Sequence, residues 1–142
     1  MAGLQYVIHR MREDPTDNFS LSNIGQVYVN VHDLKKAAAF YKEVLGMKFL
    51  FETPTMAFFD CGGIRLMLGV AEKPEFDHPA SIIYYKVGDI LKTHKVLSSR
   101  NVQFEAAPHL VARMPDHELW MAFFRDIDGN MLALMSEQPL AK

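Results

Sequence analysis

The sequence predicts an α+β fold built from two copies of one strand–helix–strands unit, and three observations carry that prediction. Val31-His32-Asp33-Leu34 opens a helix-like stretch, and Val87-Gly88-Asp89-Ile90 opens another 56 positions later. Each stretch leads to a Gly-led apolar strand, Gly63-Ile64-Arg65-Leu66-Met67-Leu68 and then Gly129-Asn130-Met131-Leu132-Ala133-Leu134. The strand before each helix opener completes the repeat. A doubled unit of this size implies two halves facing each other across a groove, with matched positions in each half for whatever chemistry the groove holds.

Residues 1–20 read as an N-terminal extension, with a short strand at Tyr6-Val7-Ile8 and turn chemistry at Glu13–Asn18. Residues 21–138 form the domain, with module one over about 23–71 and module two over about 80–136. In module one, Ile24 to Val31 alternates. Val27, Val29 and Val31 share one face, suited to a helix, and Gln26, Tyr28 and Asn30 share the other, suited to something wet or ligand-filled. Asp33 is a good N-cap for a helix carrying Leu34, Ala37, Ala38, Tyr41, Val44 and Leu45 at helical spacing, and Gly46 supplies its left-handed stop. Strands follow at Met47–Glu52, Thr55–Asp60 and Ile64–Leu68, separated by Thr53-Pro54 and Gly62-Gly63 turns. Glu72 to Pro79 reads as the linker. Module two repeats the plan: a strand over Ser81–Val87, a helix from Asp89 to about Arg100 ending at Asn101, then strands at Val102–Ala106, Leu110–Met114, His117–Phe124 and Met131–Met135. Asp126-Ile127-Asp128-Gly129-Asn130 is turn chemistry, since Asx side chains bond nearby backbone and Gly takes positive φ. Gln138 to Lys142 is expected to fray.

Bulk composition narrows the function classes. The 142 residues are enough to bury one substantial core, and 49% hydrophobic with 23% charged residues is ordinary globular composition. A net charge of −2 without a basic stripe argues against nucleic acid as a partner. The single cysteine, Cys61, leaves no intramolecular disulfide and fits a reducing compartment. It sits in an apolar run beside Gly62, which suits an inert thiol better than a reactive one. No apolar run reaches the roughly 18 residues of a membrane span, and the N-terminus carries no signal-peptide core. The expected location is therefore the cytoplasm, with no membrane partner.

Three segments, Val31-His32-Asp33-Leu34, Ala39-Phe40-Tyr41-Lys42-Glu43-Val44-Leu45-Gly46 and Phe124-Arg125-Asp126-Ile127-Asp128-Gly129-Asn130, together resemble the vicinal oxygen chelate superfamily of glyoxalase I, bleomycin-resistance proteins, extradiol dioxygenases and methylmalonyl-CoA epimerase. The resemblance runs from about Ile24 to Leu134, and Ile127 stands where the family usually has Pro. It implies paired βαβββ modules forming a partly open mixed β-barrel around the site, often as homodimers. It does not by itself imply a reaction.

In metal-using relatives, a divalent ion is held near the start of each module's first strand and within its last strand. Counting from the Val-x-Asp signature places Gln26 and its repeat Ile82 at the first-strand positions. Aligning the Gly-led strands places Met67 and Ala133 at the last-strand positions. Only Gln26 offers a hard donor. Zinc, nickel, iron and magnesium sites need several nitrogen, oxygen or thiolate donors, and desolvating even a unit charge costs on the order of 20 kcal/mol before compensation. No metal and no other cofactor is expected. His109, Asp116, His117 and Glu118 cluster late in the chain, but His117 and Glu118 are adjacent and point to opposite faces of a strand. His32, His78 and His94 lie in turn or helix contexts and are expected to face solvent, while His9 falls in the extension.

Projecting alternate residues inward gives the groove lining: Gln26, Tyr28, Asn30, Arg65 and Met67 from module one, then Ile82, Tyr84, Lys86, Met121, Phe123, Met131, Ala133 and Met135 from module two. That is a mostly apolar, Met-rich and aromatic surface with a few polar anchors, as in small-molecule pockets. The same residues would serve as ordinary core in a barrel that fills itself. His109 after Pro108 is either an acid–base group at the pocket mouth or a loop histidine. Strict alternation sends Trp120 toward a helix, unless a bulge reverses it.

The expected function is metal-independent binding of a small apolar or aromatic molecule, with Gln26, Tyr28, Met67, Ile82, Tyr84, His109, Met121, Phe123 and Ala133 as the binding residues. The bleomycin-resistance branch is the nearest model that the resemblance implies. Arg65 and Lys86 set this lining apart from the acidic groove in which that branch holds a large cationic ligand. The alternatives are a metal-dependent or acid–base lyase, isomerase or dioxygenase of the same superfamily, and a structural dimer with a filled barrel. Unpaired sheet edges favour a homodimer.

Overall fold

The computed structural model describes residues 21–140. The expectations for the extension, including the strand at Tyr6–Ile8 and His9, lie outside the described residues. Two four-stranded mixed sheets make up the fold, and neither closes on itself. In the first, β1 (Gln26–Val31) runs parallel to β4 (Ile64–Val70), which is antiparallel to β3 (Met56–Cys61), itself antiparallel to β2 (Lys48–Glu52). The second repeats this order with β5 (Ile83–Lys86), β8 (Met131–Pro139), β7 (His117–Arg125) and β6 (His109–Arg113). The repeat extends to register: Tyr28 lies opposite Met67, and Tyr84 opposite Ala133.

Local chemistry explains the boundaries. Asp33 and Asp89 cap helices α1 (Leu34–Ala39) and α2 (Ile90–Ser99), their carboxylates accepting from the N–H groups of Lys36 and Lys92 at 3.1 and 3.0 Å. Such a cap is worth about 1 kcal/mol. Beyond Ala39 the first helix widens into a π turn over Phe40–Val44, with Leu45 N–H donating to Phe40 C=O at 3.0 Å. Gly46 then stops it at φ 72°, and Asn101 stops α2 at φ 69°. Gly62 and Gly63, at φ 61° and 89°, close the β3–β4 hairpin as a primed turn requires.

The helix-facing sides of both sheets contribute to one core. Val29, Val31, Phe59 and Leu68 pack under α1, and Phe124, Leu132 and Leu134 under α2. Each fully buried side chain of this size contributes about 1.5–3 kcal/mol. The turn between β7 and β8 ties the halves together. The Asp126 carboxylate accepts from Tyr41 Oη at 2.8 Å, from Asn130 Nδ2 at 2.9 Å, and from the N–H groups of Asp128 and Asn130 at 2.9 Å each. Asn130 Nδ2 also donates to Asn30 C=O, and its Oδ1 accepts from Ala80 N–H, both at 2.9 Å. Asp128 Oδ1 takes the N–H of His32 at 2.8 Å.

Several expectations need correction. Val102–Ala106 is not a strand. Only Phe104 bridges, to Phe124, because the antiparallel partner of β7 is β6, beyond Pro108. His109 opens that strand rather than ending a loop. The C-terminal segment does not fray from Gln138: β8 runs to Pro139, where it pairs with His117, and Gln138 Nε2 donates to Gly88 C=O at 2.9 Å. The strand expected from Ser81 begins at Ile83. Trp120 does face the helix side, packed against the core with its indole N–H toward Glu118 at 3.4 Å. No helix among the described residues is long and apolar enough to cross a membrane.

Candidate functional site

Strand alternation gives each sheet an open face opposite its helix. On the first, Gln26, Tyr28 and Asn30 of β1 stand beside Arg65, Met67 and Gly69 of β4. Gln26 Nε2 reaches Met67 Sδ at 3.9 Å. Phe58 lies opposite Met67 and stacks on Phe51, with ring centroids 4.5 Å apart. On the second face, Tyr84 meets Phe123 edge to face at 6.0 Å, Phe123 lies opposite Ala133, and Met121 lies opposite both Met135 and His109. Ile82 precedes β5, 44% exposed. His109 Nδ1 is 3.1 Å from Ala107 C=O, which can only accept. The structure thus gathers Gln26, Tyr28 and Met67 in one module and Tyr84, His109, Met121, Phe123 and Ala133 in the other, with Ile82 at the entry to β5. Strand pairing joins no member of one set to the other.

One cavity of about 290 Å³ opens on the first face, lined by Tyr28, Thr55, Met56, Met67, Gly69, Val70, Ala71, Glu72, Phe76 and His78. Its far wall is the linker, which the sequence presents as a spacer. Residues Pro74–Phe76 form a 3₁₀ turn that sets Phe76 against the strands. Tyr28 folds over Gly69, with Oη donating to Gly69 C=O at 3.1 Å. A Cβ at Gly69 would stand 2.6 Å from the Tyr28 ring. The small residue is therefore what lets the ring lie down. Burial, with the Asp77 and Glu72 carboxylates nearby, raises the Tyr28 hydroxyl above its ordinary pKa, so it remains protonated.

The linker is held by Asp77. Its Oδ1 accepts from Asn30 Nδ2 at 2.9 Å and lies 2.7 Å from His32 Nε2. The hydrogen bonds from Asn30 and His32 hold the Asp77 carboxyl below its usual range, and the bond to Asp77 raises the His32 imidazole. His32 is exposed, as expected, but not free. Sequence alone offered no signal for this contact beyond the polarity of the three residues.

The donor set at the four matched positions does not fit a divalent cation. Gln26 offers a single neutral amide oxygen, Met67 a weak sulfur, Ile82 no donor, and Ala133 is a buried methyl. His117 sits between Glu137 and Asp116, at 3.1 and 2.7 Å, while Glu118 points to the other face and pairs with Arg113 at 2.9 Å. No three His, Cys, Asp or Glu side chains among the described residues converge as a ligand set. Lys86, on the second face, is paired with Glu137 at 2.5 Å. Burial raises the Cys61 thiol, consistent with an inert group.

Comparison with known proteins adds the family. The sequence model described as the Glyoxalase/Bleomycin resistance protein/Dioxygenase superfamily matches residues 23–134. The uncharacterized protein YraH of Bacillus subtilis is 29% identical over 126 residues, covering 77% of this chain and 94% of that protein. A segment of 74 residues is 35% identical to the metallothiol transferase FosB of Lysinibacillus sphaericus, covering 52% of this chain and 50% of that protein. The crystal structure of lactoylglutathione lyase from Agrobacterium tumefaciens superposes with a TM-score of 0.66 at 21% identity, covering 82% of this chain and 95% of the other.

Proposed function

The chain belongs to the Glyoxalase/Bleomycin resistance protein/Dioxygenase superfamily, and from that premise we propose that it is a metal-independent member that binds a small apolar or aromatic molecule. The observation that carries this reading is the side chains at the metal-bearing positions of its relatives. An amide, a thioether, an aliphatic side chain and a buried methyl stand there, and of these the Met67 thioether lines a cavity together with Tyr28 and Met56. Binding is by apolar burial and aromatic contact, with Tyr28 and Met67 on the cavity wall and Gln26 next to Met67 as a further polar anchor. Tyr84, Phe123, Met121, Ala133, Ile82 and His109 form the matching face of module two. In a homodimer a second copy covers the open faces, and the protein works in the cytoplasm.

Two relatives carry enzyme names, a metallothiol transferase and a lactoylglutathione lyase. The competing reading is a metal-dependent or acid–base enzyme of this superfamily. Metal analysis of protein purified without chelator separates the two, combined with thermal shift against indole and naphthalene. The expected result is substoichiometric metal and a rise in unfolding midpoint with an aromatic probe. Stoichiometric nickel, zinc or iron would overturn the proposal.

A further inference from the structure

The cavity behind Tyr28 is apolar in area but one-sided in its polar chemistry, and that asymmetry selects a ligand. Tyr28 already donates its hydroxyl hydrogen to Gly69 C=O, so toward the cavity its oxygen can only accept. His78 Nδ1 lies 3.1 Å from Pro79 C=O. A carbonyl cannot donate, so Nδ1 carries the hydrogen, and in the neutral ring Nε2 is an acceptor. Among the described residues, Glu72 is the one carboxylate on the wall, and it has no ion pair there. Thr55 alone among the lining side chains offers an uncommitted hydroxyl. No lysine or arginine among the described residues lines the cavity: Arg65 stands opposite Gln26 on β4, and Lys86 is paired on the other sheet.

A ligand that fits this wall must bring its own hydrogen-bond donors and a positive charge, and offer an apolar body to Met56, Met67 and Phe76. We infer that the cavity takes an aromatic or apolar amine in its protonated form, with Glu72 as counter-ion and the Tyr28 and Phe76 rings alongside the ammonium and its hydrocarbon. An ammonium over an aromatic face is attracted by the ring quadrupole in addition to its ion pair. A carboxylate in the same place would meet acceptors and like charge. This assignment rests on the small-molecule reading above and narrows it to one charge type.

Three probes with one ring system and different end groups test it: tryptamine, tryptophol and indolepropionate, each titrated calorimetrically at neutral pH. The expected order is tryptamine, then tryptophol, with indolepropionate weakest. Glu72→Gln, at an exposed linker position, should weaken tryptamine by about two- to fivefold and leave tryptophol unchanged, with an unaltered circular dichroism spectrum. Equal binding of all three, tightest binding of indolepropionate, or a tryptamine preference that survives Glu72→Gln would overturn the inference and leave the apolar-pocket reading standing. No binding by any of the three would overturn both.

Discussion

Tyr41 and Asp126, 85 positions apart, meet at 2.8 Å in the core, so the first module's helix is latched to the second module's last turn. The phenol is buried, and that burial, with the adjacent carboxylate, raises it above the ordinary tyrosine range and keeps it protonated at neutral pH. It acts as a permanent donor to a carboxylate that three other N–H groups also serve. Tyr41→Phe removes one of these four donors and leaves the carboxylate buried. It should cost about 1–3 kcal/mol in chemical denaturation. An unchanged denaturation midpoint would show that the latch contributes nothing.

The His32–Asp77 contact gives the linker a pH window. His32 is raised by its bond to Asp77, so its contribution is complete below the unfolded value of 6.5 and is lost as pH rises through the higher folded value. Asp77 is lowered, so its contribution is present above 3.8 and is lost as pH falls through the lower folded value. Asp128 Oδ1, 3.4 Å from His32 Nδ1, reinforces the charged imidazole. The linker is therefore held most firmly between these two values. Hydrogen exchange over residues 72–79 should be slower at about pH 5.5 than at about pH 8 after correction for intrinsic rates. His32→Gln should erase the difference, and a difference that persists in that variant would refute the assignment.

Gly69→Ala tests the folded-down ring. The new methyl would stand 2.6 Å from Tyr28 Cε2, and the obstacle is the side chain of a residue 41% exposed, which can swing away. The fold should survive with a loss of about 1 kcal/mol, within the range for overpacking. The Tyr28–Gly69 hydrogen bond and the cavity shape should not. Loss of aromatic-probe binding in a folded variant is the expected result, and wild-type affinity would separate Tyr28 from the ligand.

The proposed homodimer can be weighed directly. Ile82 and Tyr84 are each 44% exposed on the second open face, and Leu50 and Phe51 are 41% and 49% exposed on β2. Light scattering should return twice the 16.2 kDa chain mass. Tyr84→Glu should shift the protein toward monomer if open faces meet across the interface. A Tyr84→Glu dimer as tight as wild type would place the contact on strand edges instead.

Legibility in the sequence followed the range of the interactions. Asp33, Asp89, Gly46 and Asn101 act on their own neighbours, so helix starts and stops could be read directly. The repeat extended this to register, because equal spacing carries Tyr28 opposite Met67 into Tyr84 opposite Ala133. Strand β6 is legible to within one residue as Leu110–Met114, but Val102–Ala106 also has the composition of a strand and finds a partner only at Phe104, because partners are chosen in three dimensions. Asp126-Ile127-Asp128-Gly129-Asn130 was recognisable as a turn, yet its bonds to Tyr41, His32 and Asn30 cross the module boundary and leave no periodic trace. The cavity was half legible for the same reason: alternation gives Tyr28 and Met67, whereas Phe76, His78 and Glu72 enter only because Asp77 folds the connecting segment back.

A tether that doubles as a wall changes how this chain tolerates variation. Adding or deleting a residue between Glu72 and Pro79 should leave both sheets intact while resizing the chamber that this stretch and the first sheet border. Grafting that stretch between relatives should accordingly transplant ligand preference along with it, and the long connection between the two sheets becomes the piece most able to diversify what the chamber holds.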